Sequence, residues 1–311
     1  MPRQTLLLKC LIIVLIPCLL SCQGNAKKQV SGASMPVQHK LGETQVPLSP
    51  ERIVVLDIGA LETLHELGVK PVGVPKKYMP DYLSDIQSDP EVQDVGSVIE
   101  PDFEAIYGLD PQLILISTRQ ERFYKELSDI APTVFIGTDN ARYLESFREN
   151  TRLLGKLVSK ETELQQKLDS LDRKIQQARD RFEQDPGKAL FLIYNNGRFS
   201  AFGPSSRFGF IYDVLHIKSA MQGGQESVHG QKVSSEWIAE TNPDYLCIID
   251  RNAVVLDKPT QNKDIENLLI QQTNAYKQGK IFYLNPNIWF ISGGGLTSVN
   301  LMIDDMMRRI R

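Results

Sequence analysis

Two stretches of the 311-residue chain carry one pattern at a fixed offset of 132 residues, from Glu104 to Glu236 and from Arg119 to Arg251 alike. Glu104-Ala105-Ile106 is followed by Pro111, Leu113, Ile116 and Arg119, and Glu236-Trp237-Ile238 by Pro243, Tyr245, Ile248 and Arg251. Each set reads as a helix, a proline-terminated turn, a buried strand and an arginine just past the strand's C-terminal end. A chain that repeats such a unit has two α/β lobes. In open α/β sheets the crevice outside the carboxyl ends of the strands is where ligands sit, so the repeat aims Arg119 and Arg251 at a common interlobe cleft.

The local pattern agrees with two lobes. Arg52 to Leu56 is a short β-branched run, and Ala60 to Leu67 follows with helical spacing and stops at Gly68. Val72-Gly73-Val74, Leu113 to Ile116 and Val134 to Ile136 read as further strands, with a helix at Phe103 to Tyr107. Apolar runs alternating with helices predict a mainly parallel sheet flanked by helices. From Ala141 to Phe182 the chain reads as helical with a break at Ser159, after which Leu164, Leu168, Leu171, Ile175, Ala178 and Phe182 form a heptad-like stripe. That stripe is short, and packing along the molecule's own body is the expectation for it rather than coiled-coil pairing. Strand patterns resume at Ala189–Tyr194, Leu246–Ile249 and Ile281–Leu284, with a helix around Gly209–Leu215 and a final helix from Leu296 to Arg308. The expected architecture is two α/β lobes joined by one long α-helix.

The ends and the charge balance set the class. Leu11 to Leu20 is almost wholly apolar, behind Arg3 and Lys9 and ahead of Ser21-Cys22; the run is too short to span a bilayer comfortably and reads as an export signal. Residues Leu19 to Cys22 resemble the bacterial lipobox, which implies cleavage before Cys22 and its modification with lipid such as palmitate. Loss of Arg3 and Lys9 without any acid leaves 33 basic and 38 acidic groups, a net charge of −5. An acidic balance gives no reason to expect nucleic acid. Cys247, the other cysteine remaining after cleavage, lies inside an apolar strand and reads as a small buried hydrophobe. The divisions expected are 1–21 signal peptide, 22–47 flexible tether, 48–140 N-terminal lobe, 141–186 helical region with the interlobe helix, and 187–311 C-terminal lobe.

Basic residues gather in loops: Lys76, Lys77, Arg119, Arg122, Arg198 and Arg251 after strands, and Arg207 ahead of the Gly209 helix. In an acidic protein, arginine at strand exits points to an anion, because its fork matches paired oxygens. Arg119, Arg207 and Arg251 carry the strongest case. The chain has no Gly-x-Ser-x-Gly, His-Glu-x-x-His, Cys-x-x-Cys or Gly-x-x-x-x-Gly-Lys pattern, so a lipid-anchored hydrolase is the weaker class and a binding protein the stronger.

The motifs Ile116-Ser117-Thr118-Arg119-Gln120, Ser200 to Gly209, His229-Gly230 and Ile249-Asp250-Arg251-Asn252 resemble those of bacterial siderophore-binding lipoproteins that serve ABC iron importers, most nearly the petrobactin and catecholate types. The resemblance runs from about Pro47 to Met306. It implies two lobes joined by one long helix, with a ferric siderophore in the cleft and no intrinsic cofactor. Arg119, Arg207 and Arg251 would hold the anionic chelate, His229 would complete iron coordination, and Trp289 and Phe290 would form an aromatic wall. Family members that use the histidine pair it with a tyrosine near the position of Phe290, and phenylalanine cannot ligate iron; Tyr78 and Tyr212 are the tyrosines nearest in role. Glu104 and Glu236 resemble the acids that dock on the arginines of a permease served by a cytoplasmic ATPase. The resemblance implies a monomer in the periplasm or at the cell surface, and no enzyme activity. Haem or cobalamin is the alternative cargo.

Overall fold

The computed structural model describes residues 33–221 and 230–310. Its strands are β1 (Ser34–His39), β2 (Gly42–Pro47), β3 (Ile53–Val55), β4 (Gly73–Val74), β5 (Gln93–Asp94), β6 (Leu113–Ile116), β7 (Thr133–Phe135), β8 (Lys188–Asn195), β9 (Arg198–Phe202), β10 (Lys218–Ser219), β11 (Gln231–Val233), β12 (Tyr245–Asp250) and β13 (Ile281–Tyr283). The first lobe is a wholly parallel sheet in the order β5-β4-β3-β6-β7. The second follows the order β11-β9-β8-β12-β13, with β10 beside β8. In it β8, β10, β12 and β13 are parallel, while β9 runs antiparallel to both its neighbours, β8 and the edge strand β11. Every residue of β6 is buried, as a strand covered by helices on both faces requires.

The helices start where short polar side chains satisfy free amides. Asp57 accepts from Ala60 N (2.8 Å), Asp102 from Ala105 N (3.0 Å) and Ser234 from Trp237 N (3.3 Å). They cap the helices Ile58–Glu66, Phe103–Gly108 and Ser235–Thr241. The central helical region divides at Ser159, whose φ is 56°, into Tyr143–Leu157 and the 22-residue linker helix Glu161–Phe182. All six stripe residues, Leu164 through Phe182, are buried in a core shared with Phe147, Phe191, Phe210 and Ile303. The stripe is therefore consumed within the chain. The expected helix near Gly209 is a π-helical turn, Phe210–Val214.

Residues 34–47, read from sequence as tether, instead form the β1–β2 hairpin. Its strands pair from Ser34↔Pro47 to His39↔Gly42. Val37 and Val46 are buried, and Thr44 Oγ1 donates to Thr133 O of β7 at 2.9 Å. The partly buried Met35 and Leu41, the His39–Tyr124 ring contact and the Lys40–Glu121 ion pair add to these in docking the hairpin on the lobe, a set of contacts made at a distance in sequence that does not register as a strand pattern.

The lobes also meet without the linker. The final helix, Leu296–Arg309, lies against Ile58–Glu66. A Cβ on Gly295 would stand 2.1 Å from Gly59 O, and one on Gly59 2.7 Å from Gly294 C, so this backbone approach requires glycine on both sides. Glu62 is fully buried here. It accepts hydrogen bonds from Ser298 N (2.8 Å), Ser298 Oγ (2.5 Å), Ser292 Oγ (2.8 Å) and Tyr82 Oη. Burial pushes its carboxyl up to about 7, with the hydrogen bonds holding it from rising further.

A stability profile checks this junction. With a native value near 7 against an ordinary 4.5, the folded state binds the extra proton between those limits, so stability falls as pH rises through that window and levels off above it. Glu62→Gln is expected to remove that fall. Calorimetric melting of both proteins near pH 5 and near pH 8 reads the difference, and identical profiles would contradict the assignment.

Candidate ligand-binding cleft

Strand ends place the three arginines. Arg119 follows β6 in a loop held by Gln120, which is fully buried. Gln120 Oε1 accepts from Ser117 N (3.0 Å), and its Nε2 donates to Leu56 O (3.3 Å) and Val98 O. Arg207 follows β9 on a tight turn in which Ser206 Oγ donates to Gly203 O (2.6 Å) and Ser205 N donates to Asp213 Oδ2 (2.7 Å). Arg251 follows β12; its amide donates to Tyr194 O (3.0 Å) and its Nη1 to Asn195 Oδ1 (3.2 Å).

All three guanidinium groups converge on Phe290. Arg119 Nη2 donates to Phe290 O (2.7 Å), Arg119 Nη1 to Ile291 O (3.1 Å) and Arg207 Nη2 to the same Phe290 carbonyl. The guanidinium carbons of Arg207 and Arg251 stand 4.6 and 5.7 Å from the centre of the Phe290 ring, within range of cation–π attraction. Those carbonyls are available because Asn287–Ile291 is a π-helical turn that ends at Ser292, leaving its last acceptors without a helical partner.

No carboxylate of the described residues forms an ion pair with Arg119, Arg207 or Arg251. Burial, then the charges of Arg119 and Arg251, push Arg207 down to about 9. Burial likewise lowers Arg119, with Asp57 opposing the shift. Three like charges are thus gathered where water is partly excluded, and the groups that hold them are neutral carbonyls, an amide and an aromatic face. Such a site stabilises an incoming anion more than any neutral group of equal shape.

The other sequence candidates separate. Trp289 is 2 % exposed, packs on Phe191 at 5.5 Å and donates its indole N–H to Asp305 Oδ2 (3.1 Å). It is part of the second lobe's core, not of an aromatic wall, because adjacent residues of the turn point opposite ways. Phe290 reaches the cleft, with two guanidinium groups over its ring. Tyr212 is buried, its hydroxyl receiving Phe191 N (3.1 Å). Tyr78, at a left-handed φ of 64°, crosses between the lobes to donate to Val255 O (3.3 Å). Lys76 and Arg122 are engaged by backbone carbonyls of their own lobe, Asp89 O and Ile99 O. His229 and Cys22 lie outside the described residues.

Glu104 and Glu236 are exposed in the first turns of their helices. Each helix runs back against the strand that follows it, so its N-terminus stands at the same end as that strand's C-terminus. The two acids therefore flank the cleft rim, one on each lobe. Sequence reasoning missed Gln120 and the Phe290 carbonyl; the former was visible as an amide beside an arginine, the latter carries no side-chain signal.

Residues 53–288 match the family model described as periplasmic binding protein. The chain is 40 % identical to the petrobactin-binding protein YclQ of Bacillus subtilis, over 92 % of this chain and 93 % of that protein. It is 35 % identical to the ferric-anguibactin-binding protein FatB of Vibrio anguillarum, over 88 % of this chain and 86 % of that one. The crystal structure of YclQ superposes with a TM-score of 0.86 at 41 % identity, covering 89 % of this chain and 98 % of YclQ. That of the periplasmic catecholate-siderophore-binding protein VctP of Vibrio cholerae superposes with a TM-score of 0.83 at 35 % identity, covering 89 % and 100 %. With two α/β lobes, a linker helix and a ligand cleft between strand ends, the chain belongs to the periplasmic binding protein family.

Proposed function

We propose that the protein captures a ferric siderophore bearing negative catecholate or carboxylate oxygens in the interlobe cleft and delivers it to an ABC permease. The observation that carries this reading is the convergence of Arg119, Arg207 and Arg251, without a counter-ion among the described residues, on one aromatic residue. A guanidinium has five N–H donors, so each arginine retains donors beyond those given to Phe290 O, Ile291 O or Asn195. An anionic chelate relieves the mutual repulsion of the three cations and receives their hydrogen bonds at once. The names of the relatives, which bind petrobactin, anguibactin and catecholate siderophores, support the same cargo class.

Iron enters as part of the cargo. The Phe290 side chain offers it no donor atom, which favours a chelate that saturates the metal itself or one that needs only an imidazole from His229, with or without water. The amino-terminal motif ending in Cys22 supports export and a lipid anchor at the outer face of the membrane. Glu104 and Glu236, one on each side of the cleft rim, are the acids that would meet basic residues of the permease, whose ATPase partner supplies the energy. The chain's part is capture and presentation, with no covalent bond of the cargo made or broken.

Two experiments test the reading. Arg207→Gln removes a desolvated charge that its neighbours repel, while Arg119 still serves the Phe290 carbonyl. The empty variant should therefore melt higher than the parent, yet bind an anionic ferric catecholate at least about tenfold more weakly. Affinity that stays within about twofold even when all three arginines become alanine would refute the proposal. For delivery, Glu104→Ala with Glu236→Ala should leave cargo affinity unchanged and abolish uptake by cells; lost affinity would mark the acids as structural.

A further inference from the structure

An exposed ion pair is screened by water and salt and holds a complex weakly. Two acids on separate lobes are therefore a poor docking surface alone; stable contacts centre on large side chains that bury apolar area. Among the described residues the two most exposed large apolar side chains are Leu268, at 78 %, and Tyr107, at 73 %. Both stand beside the acids of the cleft rim. Tyr107 follows Glu104 by three positions on the helix Phe103–Gly108 and shares its face. Ile99, 45 % exposed, precedes that helix, and its carbonyl is held by Arg122 Nη2 at 3.3 Å.

On the second lobe the neighbour comes from a different element. Asn267 Nδ2 donates to Ser235 Oγ (2.8 Å) at the start of the helix that carries Glu236. Asn267 Oδ1 accepts from Leu269 N (3.0 Å) and Ile270 N (3.3 Å), a tight turn that leaves Leu268 projecting. The internal repeat does not account for this likeness, because the position 132 residues after Tyr107 is Ala239. Each lobe has thus arrived by its own route at an exposed carboxylate, in no ion pair with a described residue, with an exposed apolar side chain next to it.

We propose that Tyr107, with Ile99, and Leu268 are apolar anchors of the permease-docking face, each seated in a socket beside the basic group that meets Glu104 or Glu236. The proposal rests on the docking role given above to those acids. A single partner must span both lobes at the mouth of the cleft, where cargo leaves, and must present positive charge. A second copy of this chain fits poorly, because a self-complementary contact of this face would bring acids against acids.

The test uses the full chain carrying Tyr107→Ser and Leu268→Ser, in cells lacking the parent gene, with radioiron supplied as ferric petrobactin, the cargo named for YclQ. The purified variant is expected to melt as the parent does and to bind the chelate within about twofold, while uptake falls about tenfold or more. Parent-like uptake, where Glu104→Ala with Glu236→Ala has lost it, overturns the anchors and leaves the docking acids standing. Parent-like uptake by the glutamate variant overturns the docking reading itself, and the anchors with it. Weakened chelate binding by the serine variant also overturns the proposal, as would a parent dimer in sedimentation that the variant dissolves.

Discussion

Three positive charges held together, with no counter-ion among the described residues, are what the rest of this structure must accommodate. Arg119 comes from one lobe and Arg207 and Arg251 from the other, and their common support is the carbonyl and ring of Phe290. Neutral groups can orient a guanidinium but cannot cancel its charge. Burial first, and then the repulsion of Arg119 and Arg251, disfavour the charge on Arg207, and a bound anion opposes both.

Repelling groups stay together only on a stiff frame. The linker helix contributes by burying its whole stripe in the core, and the glycine-to-glycine approach at Gly59 and Gly295 joins the lobes a second time. Glu62 completes that junction by accepting from the first turn of the final helix, where the helix dipole favours a carboxylate. Arg119 Nη1 and Nη2 then reach across to Ile291 O and Phe290 O, just before the loop that leads into the same helix. Cleft and junction are consequently one mechanical unit, and Gln120 ties the Arg119 loop to Val98 near the helix that bears Glu104.

Much of this was legible in the residues because its signals are local. The stripe from Leu164 to Phe182 repeats within one helix, and the unit containing Arg119 recurs whole around Arg251. What escaped depends on partners distant in sequence. Glu62 looks like a solvent-facing helix position until Ser292 and Ser298, more than two hundred residues on, close over it. The carbonyl of Phe290 is invisible in principle, since every residue has one. Trp289 and Phe290 read alike as aromatics, and only the direction of the π-helical turn separates a core residue from a cleft residue. The hairpin at residues 34–47 escaped because its few apolar side chains are scattered among polar ones and find their partners on the lobe, far off in sequence.

Charge discrimination tests the central claim most directly. Quenching of the fluorescence of Trp237 and Trp289 by the bound ferric chelate reads binding, and the mature protein can be titrated with a triply anionic ferric catecholate and with a neutral ferric trihydroxamate of similar size. The account predicts that the anionic chelate binds at least about a hundredfold more tightly, and that raised salt erodes the difference. Equal affinity for the neutral chelate would show that the three arginines do not select the cargo by charge.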